Sequence, residues 1–183
     1  MPWNDPVRIK RLLDTGPAGL VVPMVETAEE ARDAVRAMRY PPEGDRGIAP
    51  ARASNYTHDF PGYVREANDR LLTVVQIETG RGLENATDIA AVEGVDALFV
   101  GPSDLSAALG TFPDADAAEV VDAVERIVTA GADAGVPVGT LTVDPDGVAA
   151  WFDRGMDFLV VGLDASFLAS GAEQAVSAFE DAL

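Results

Sequence analysis

The 183-residue sequence predicts an α/β fold in which parallel strands alternate with helices. Five short apolar runs, most of them rich in β-branched residues, are separated by segments with helical periodicity. Strands that are apolar throughout, rather than alternately apolar and polar, indicate a sheet that is buried on both faces. Helical connections between such strands indicate that the strands run parallel to one another.

The predicted strands and helices follow one another along the whole chain. The strands are predicted at residues 19–25, 71–77, 95–100, 136–141 and 158–162. The helices are predicted at residues 6–15, 28–40, 63–68, 85–92, 116–134, 146–154 and 166–183. Asp5 before Pro6, and Thr27 with Glu30 three residues later, are typical helix starts. Residues 43–61 show neither period and are rich in glycine, proline and asparagine, so they are predicted to form a loop.

Two parallel α/β folds can hold these elements. An open doubly wound sheet can be built from five strands, but its ligand site normally uses a glycine-rich first turn, and no Gly-x-Gly-x-x-Gly pattern occurs. A TIM (β/α)8 barrel has eight strands, so this chain would supply only about the last five with their helices. We expect a single domain over residues 1–183 that forms the C-terminal part of such a barrel.

The amino-acid composition argues against nucleic acid and membranes as partners. The chain carries 31 acidic and 13 basic residues for a net charge of −18, which repels phosphate backbones and argues against nucleic acid. No apolar stretch approaches the ~20 residues of a membrane span, and no secretory signal is visible, so we expect a cytoplasmic protein with no membrane contact. The scattered acidic residues and the single lysine, Lys10, favour a high-salt cytoplasm, with an acidic mesophilic enzyme as the alternative.

Two acidic residues follow neighbouring predicted strands. Glu78 closes the segment Gln76-Ile77-Glu78-Thr79, and Asp104 lies in Gly101-Pro102-Ser103-Asp104 after the next strand. Because the carboxyl ends of parallel barrel strands meet on one face, we expect these two carboxylates to converge. Mg²⁺ and Mn²⁺ take oxygen ligands and commonly use only one or two protein carboxylates. The pair therefore indicates a divalent cation site.

Each of these carboxylates also has a purely structural interpretation. Glu78 could pair with Arg81, and Asp104 could cap a helix that begins at Leu105. The backbone N–H groups of Ser103 and Asp104, at a helix start, could bind a carboxylate, and Gly101 would permit close backbone approach there.

Four segments together resemble the HpcH/HpaI family of metal-dependent 2-keto-3-deoxy acid aldolases. They are residues 19–25 (GLVVPMV), 39–47 (RYPPEGDRG), 76–79 (QIET) and 94–106 (GVDALFVGPSDLS). The resemblance covers nearly the whole chain. It implies a TIM barrel that cleaves a 4-hydroxy-2-keto acid to pyruvate and an aldehyde with Mg²⁺ or Mn²⁺, and it implies a homo-oligomer.

The resemblance also implies roles for individual residues. Glu78 and Asp104 would be the metal ligands, and Gln76, on the same side of its strand as Glu78, would donate a hydrogen bond to the keto acid. The alternative for Gln76 is a buried amide whose hydrogen bonds are satisfied by neighbouring residues. Asp14 would be the catalytic partner of a histidine that this chain does not contain. Arg46 resembles an arginine in a loop of the family. Two roles are open for it, positioning at the site and anchoring of the loop.

The resemblance leaves three further points. The only histidine, His58, matches no catalytic position and is interpreted as a solvated loop residue. The family carries an arginine directly before the segment that begins here at Met1, so we expect an N-terminally truncated member. The alternatives are a catalytically impaired fragment or binding subunit of the same fold, and an acyl-CoA lyase of the wider superfamily, against which the scarcity of lysine counts.

Overall fold

The computed structural model of the protein describes residues 1–182, which contain the five strands that the sequence predicts. Each strand is one to three residues shorter than expected. The strands are β1 (Gly19–Val22), β2 (Leu72–Ile77), β3 (Ala97–Val100), β4 (Val138–Leu141) and β5 (Phe158–Val160). The α-helices are α1 (Pro6–Leu13), α2 (Ala28–Met38), α3 (Phe60–Arg70), α4 (Gly80–Glu84), α5 (Ala86–Ala90), α6 (Pro102–Ala108), α7 (Ala118–Ala134), α8 (Val148–Asp153) and α9 (Asp164–Glu180).

The sheet has the order β1-β2-β3-β4-β5, and every pair of neighbours is parallel. Because each crossover steps to the next strand in the same direction, the right-handed connections place the helices on one side. A doubly wound sheet would reverse its strand order instead. The result is a curled half-barrel of the TIM type with its helices, which confirms the predicted fold class.

The two faces of the sheet differ in burial. In β2, Thr73, Val75 and Ile77 are buried, whereas the alternate residues are more exposed, and Leu72 is 53% exposed. The main core lies between the sheet and the helices, chiefly α1, α2, α5 and α7. Burial on both faces, which the apolar strands predict, holds for β3 but not for β2 or β5.

Several helix boundaries differ from the predictions for identifiable reasons. The predicted loop 43–61 contains a 3-10 helix over Arg52–Thr57, and α3 begins at Phe60 because Pro61 occupies its first turn, where proline is favoured. Helix α4 is not predicted, because two of its five residues are glycines, which have low helix propensity. Proline at the start of α6 likewise begins that helix at Pro102 rather than at Leu105.

Helix α9 has no buried residue along its length. Four large apolar side chains on it are 57–77% exposed, namely Phe167, Leu168, Val176 and Phe179. Leu183, the last residue of the predicted C-terminal helix, lies outside the described residues. Among residues 1–182, none of the helices is both long and apolar enough to cross a membrane.

Candidate functional site

Glu78 directly follows β2 at the carboxyl end of the sheet. Its neighbour Ile77 points into the helical layer, so Gln76 and Glu78 point to the concave face. Glu78 is 4% exposed. Its Oε1 accepts a hydrogen bond from the backbone N–H of Met24 at 2.8 Å, and its Oε2 accepts one from Nε2 of Gln76 at 2.5 Å. Both carboxylate oxygens are thus held by neutral donors.

Asp104 approaches Glu78 from the next strand along. It is the third residue of α6, the helix that follows β3, and its side chain is exposed. Burial is the main cause that raises the pKa of Glu78, and the Met24 N–H opposes it. The Asp104 carboxyl group raises this pKa further, by charge repulsion and by a shared hydrogen bond. We call Glu78 and Asp104 the carboxylate pair. The structure brings them together, as their places after neighbouring parallel strands predict.

Gly101 makes room for the side chains around the pair. A Cβ atom at this position would lie 2.6 Å from Nε2 of Gln76 and 2.7 Å from Oε2 of Glu78. Gly101 therefore leaves space for these two side chains. Its role in binding substrate stays a prediction.

Both structural interpretations of the carboxylates disagree with the contacts. Arg81 pairs with Glu26 at 3.6 Å instead of with Glu78. Asp104 lies inside the first turn of α6, whose N-cap is Gly101. Within residues 1–182, no lysine, arginine or histidine forms an ion pair with either member of the carboxylate pair. The two carboxyl groups therefore face each other without a protein cation from the described residues.

The donor set of the site is small. No group of three or more histidine, cysteine, aspartate or glutamate residues in the described part of the chain could hold a metal ion. Ser103, beside the carboxylate pair, is exposed, and its carbonyl accepts a hydrogen bond from Ser106 at 2.8 Å. Its N–H and that of Asp104 belong to the first turn of a helix, where N–H groups lack intrahelical partners.

Asp14 lies at the other end of the sheet, five residues before β1. Its Oδ2 accepts from Nζ of Lys10 at 2.5 Å, and its Oδ1 accepts from Nη2 of Arg46 at 3.0 Å. The guanidinium of Arg46 has its Cζ 4.5 Å from the ring centroid of Tyr40 and 5.7 Å from that of Tyr63. We call these five residues the Arg46 cluster.

The position of the Arg46 cluster separates Asp14 from the carboxylate pair. Strand β2 alone, with six residues at ~3.3 Å each, spans roughly 20 Å between the two ends of the sheet. The chain does not bring Asp14 to Glu78 and Asp104. The role of Asp14 beside a histidine stays a prediction. Arg46 has a fully buried side chain and anchors its loop to α1, which favours the anchoring interpretation. His58 is exposed in the loop, consistent with a solvated residue.

Sequence reasoning missed Met24, which it placed inside the first strand. The strand ends at Val22, and Met24 has a positive φ of 57°. Pro23 is a signal for the earlier strand end, because proline cannot donate a hydrogen bond to the ladder. Nothing in the local sequence indicates a left-handed methionine, since only glycine, asparagine and aspartate favour that conformation.

Comparisons with known proteins show the family to which this chain belongs. The family model described as HpcH/HpaI aldolase/citrate lyase matches residues 1–170. A relative named hydroxypyruvate/pyruvate aldolase, from Roseovarius nubinhibens, is 45% identical over 97% of this chain and 69% of its own length. A relative named 4-hydroxy-2-oxo-heptane-1,7-dioate aldolase, from Shigella sonnei, is 44% identical over 97% of this chain and 68% of its own length.

A solved structure shows the same arrangement of elements. An HpcH/HpaI aldolase/citrate lyase family protein from Burkholderia cenocepacia superposes with a TM-score of 0.89 at 36% identity, over 98% of this chain and 71% of that one. Sequence and structural similarity both extend over nearly the full chain. The chain therefore belongs to the HpcH/HpaI aldolase/citrate lyase family, which is a family of enzymes.

Proposed function

We propose that this chain acts as a metal-dependent aldolase, a carbon–carbon lyase that cleaves a 4-hydroxy-2-keto acid to pyruvate and an aldehyde. The observation that carries the proposal is the carboxylate pair at the carboxyl ends of β2 and β3, buried on one side and unpaired with any cation of the described chain. Relatives at 44–45% identity are named as aldolases, one of them for pyruvate and one for a 4-hydroxy-2-oxo acid.

The donor set of the pair fits Mg²⁺ or Mn²⁺. These cations take oxygen ligands, and one or two carboxylates commonly hold them while water and substrate complete the coordination. A divalent cation would also relieve the repulsion that raises the pKa of Glu78. The family is generally dependent on a divalent metal. Glu78 and Asp104 would be the protein ligands, and the bound cation would supply Lewis-acid polarisation of the keto oxygen.

The chain's own residues would orient the keto acid. Gln76 fixes Oε2 of Glu78 and presents an amide on the concave face, where it would donate to the keto acid. The first-turn N–H groups of Ser103 and Asp104 would bind the substrate carboxylate, which carries the charge that such groups favour. Gly101 would keep the space between these groups free, because any side chain there would press on Gln76 and Glu78.

The proton of the 4-hydroxyl group must leave during cleavage, and a base must accept it. Asp14 remains the proposed partner of a histidine outside this chain, and in the structure its carboxylate is already held by Lys10 and Arg46. The residues of this chain around the carboxylate pair thus account for keto-acid binding and cation binding. Proton transfer would use groups beyond them.

Binding of Mn²⁺ tests the proposal directly. We expect stoichiometric Mn²⁺ binding by electron paramagnetic resonance titration, with a loss of about 10-fold or more in Glu78→Gln and in Asp104→Asn, since each removes one of two charged ligands. Pyruvate should then displace water from the bound Mn²⁺ in the parent protein. Glu84→Gln, on the exposed side of α4, is the control and should bind as the parent does. Unchanged binding in both site variants would contradict the proposal.

A second candidate function follows from the position of Asp14. Because the chain holds Asp14 far from the carboxylate pair, it could bind a cation and a keto acid without turning substrate over, as a binding subunit of the same fold. Assay of pyruvate release from 4-hydroxy-2-oxo-heptane-1,7-dioate separates the two. Binding of Mn²⁺ and pyruvate without pyruvate release favours the binding subunit, whereas release that needs Glu78 favours the aldolase.

A further inference from the structure

Met24 has a backbone conformation that non-glycine residues rarely adopt. Its φ of 57° lies in the left-handed region. The other non-glycine residues of the described chain with positive φ are Asn55, Tyr56 and Thr57, all in the exposed 3-10 segment. Met24 differs from them because it contacts the carboxylate pair. Residues in such conformations persist where the surrounding structure fixes them, and they concentrate at functional sites.

The residues just after Met24 are fixed to β2 and to α4. The N–H of Val25 donates to the carbonyl of Gln76 at 3.4 Å. The carbonyl of Glu26 accepts from Nδ2 of Asn85 at 2.8 Å, and its carboxylate lies 3.6 Å from Arg81. These contacts hold the chain after Met24 while β1 holds the chain before it. The left-handed turn joins two fixed segments.

The turn determines where the Met24 N–H points. The next N–H along the chain, that of Val25, already serves the β2 backbone, and the N–H of Met24 points to Oε1 of Glu78 at 2.8 Å. Gln76 holds Oε2 on the other side. These two donors, one on each oxygen, fix the orientation of the Glu78 carboxylate.

We propose that Met24 is a positioning residue for the cation site, and that its left-handed backbone, rather than its side chain, fixes the Glu78 carboxylate for binding. This inference rests on the proposed function, since it concerns the same cation. It explains why a conformation unfavourable for methionine occurs at this point of the fold. It also predicts an unusual order of Mn²⁺ affinity among variants at position 24.

Three variants separate the backbone from the side chain. Glycine tolerates a positive φ but deletes the half-buried side chain, whereas valine keeps apolar bulk but strongly disfavours that φ. We expect Met24→Gly to bind Mn²⁺ within about twofold of the parent. Met24→Val should bind it about 10-fold more weakly, the usual effect of losing a group that orients a metal ligand. Met24→Ala measures loss of the side chain alone.

Tyr56→Val is the matched control, because Tyr56 has φ 50° and is 67% exposed, so its Mn²⁺ affinity should equal that of the parent. Binding is titrated by electron paramagnetic resonance, and circular dichroism checks folding. If Met24→Val does not fold, Met24→Gly and Met24→Ala are compared instead. The inference then requires that Met24→Gly bind Mn²⁺ at least as tightly as Met24→Ala.

The possible outcomes distinguish this inference from the proposed function. If Met24→Gly binds Mn²⁺ more weakly than Met24→Val or Met24→Ala, side-chain packing governs the site and the inference is overturned, while the cation site stands. If the parent and Glu78→Gln bind Mn²⁺ equally, the proposed cation site itself fails. The order parent, Gly, Ala, Val from tightest to weakest supports the inference.

Discussion

The Arg46 cluster and the carboxylate pair lie at opposite ends of the sheet. They differ in whether their carboxyl groups are paired with a cation of the chain. In the Arg46 cluster, the Asp14 carboxylate contacts two cations, and the buried guanidinium of Arg46 also contacts two tyrosine rings. In the carboxylate pair, two carboxyl groups face each other without a cation, and the N–H of Met24 and the amide of Gln76 donate hydrogen bonds to Glu78.

This difference distinguishes a charge-compensated cluster from the proposed cation site. Charged groups that compensate one another need no further ligand. In the Arg46 cluster, the Asp14 carboxylate is paired with Lys10 and Arg46 of the same chain. Two carboxylates close together disfavour ionisation unless a cation is supplied. A cation bound at the proposed site would therefore favour the folded chain, and substitutions at the two ends should have different consequences.

The largest effect is expected at Arg46. Removing one partner of a buried ion pair typically costs about 3–5 kcal/mol, because the other charge is left without its partner. We expect Arg46→Met to lower the free energy of unfolding by about this amount, measured by urea denaturation. Lys10, the second partner of Asp14, reduces the loss toward the lower end of that range.

The double variant Arg46→Met/Asp14→Asn is the control for Arg46. Replacing both partners of a buried pair is often close to neutral, so the double variant should recover a large part of the lost stability. Nε of Arg46, which is buried without a hydrogen-bond partner, favours this recovery. An Arg46→Met variant as stable as the parent would show that the cluster does not stabilise the fold.

Gly101→Ala should have the next largest effect, and at the other end of the sheet. The new Cβ would meet Gln76 and Glu78 at 2.6–2.7 Å, and such overpacking typically costs about 1–3 kcal/mol. Because the displaced groups include a proposed ligand, Mn²⁺ affinity should fall together with stability. Calorimetric melting and Mn²⁺ titration measure the two effects.

Gly80→Ala is the matched control for Gly101→Ala. A Cβ at Gly80 would meet nothing within 4 Å, and alanine favours the helix that begins there. The control should leave Mn²⁺ binding unchanged and should not lower stability. If Gly101→Ala behaves like Gly80→Ala, the packing around the carboxylate pair is looser than the distances indicate.

The two ends of the sheet also differ in how far the sequence could predict them. The convergence of Glu78 and Asp104 follows from strand order alone, because each carboxylate comes just after a parallel strand and neighbouring strand ends meet. No long-range contact has to be known to predict it. Gln76 shares the face of Glu78 because residues two apart on a strand point to the same side.

The Arg46 cluster could not be predicted in this way. Its members come from a helix end, an irregular loop and another helix, and the loop has no hydrophobic period from which a register could be derived. The left-handed turn at Met24 was missed for a related reason. Its conformation depends on contacts with β2 and α4 that are remote in sequence, and local propensity favours an extended methionine there.

The pH dependence of stability provides a smaller and more specific test. Burial and the nearby Asp104 raise the pKa of Glu78 above its ordinary value. A carboxyl group with a raised pKa stabilises the fold while it is protonated, and this contribution is lost as pH rises through the folded-state pKa. With chelator present, Glu78→Gln should therefore melt above the parent at neutral pH, and the difference should shrink toward about pH 4.

The exposed Glu84→Gln is the control for this pH experiment and should show no such trend. Added Mn²⁺ should reverse the order at neutral pH, because it stabilises only the protein that binds it. A parent protein that melts above Glu78→Gln in chelator at neutral pH would contradict the unfavourable burial of that charge.

The smallest effect is expected at Lys10, which contacts the same carboxylate as Arg46. Its side chain is 33% exposed, whereas that of Arg46 is fully buried. Partly exposed ion pairs one helical turn apart contribute about 0.3–0.5 kcal/mol, so Lys10→Gln should lower the free energy of unfolding by roughly that amount. Urea denaturation at 0.1 M and 1 M salt should show most of this small effect lost at the higher concentration, where the Debye length falls from ~10 Å to ~3 Å.

Arg70→Gln is the matched control for Lys10, because Arg70 pairs with Glu66 over the same i,i+4 spacing with both side chains well exposed. Its effect on unfolding should be no larger than that of Lys10→Gln and should disappear with salt in the same way. The effect of Arg46→Met should largely persist at 1 M salt, since a pair with one fully buried and one mostly buried side chain is screened much less. If Lys10→Gln and Arg46→Met destabilise the protein equally, burial does not decide which cation holds Asp14. The contrast between a self-compensated cluster and an unpaired carboxylate pair would then rest on the number of charges at each end rather than on their exposure.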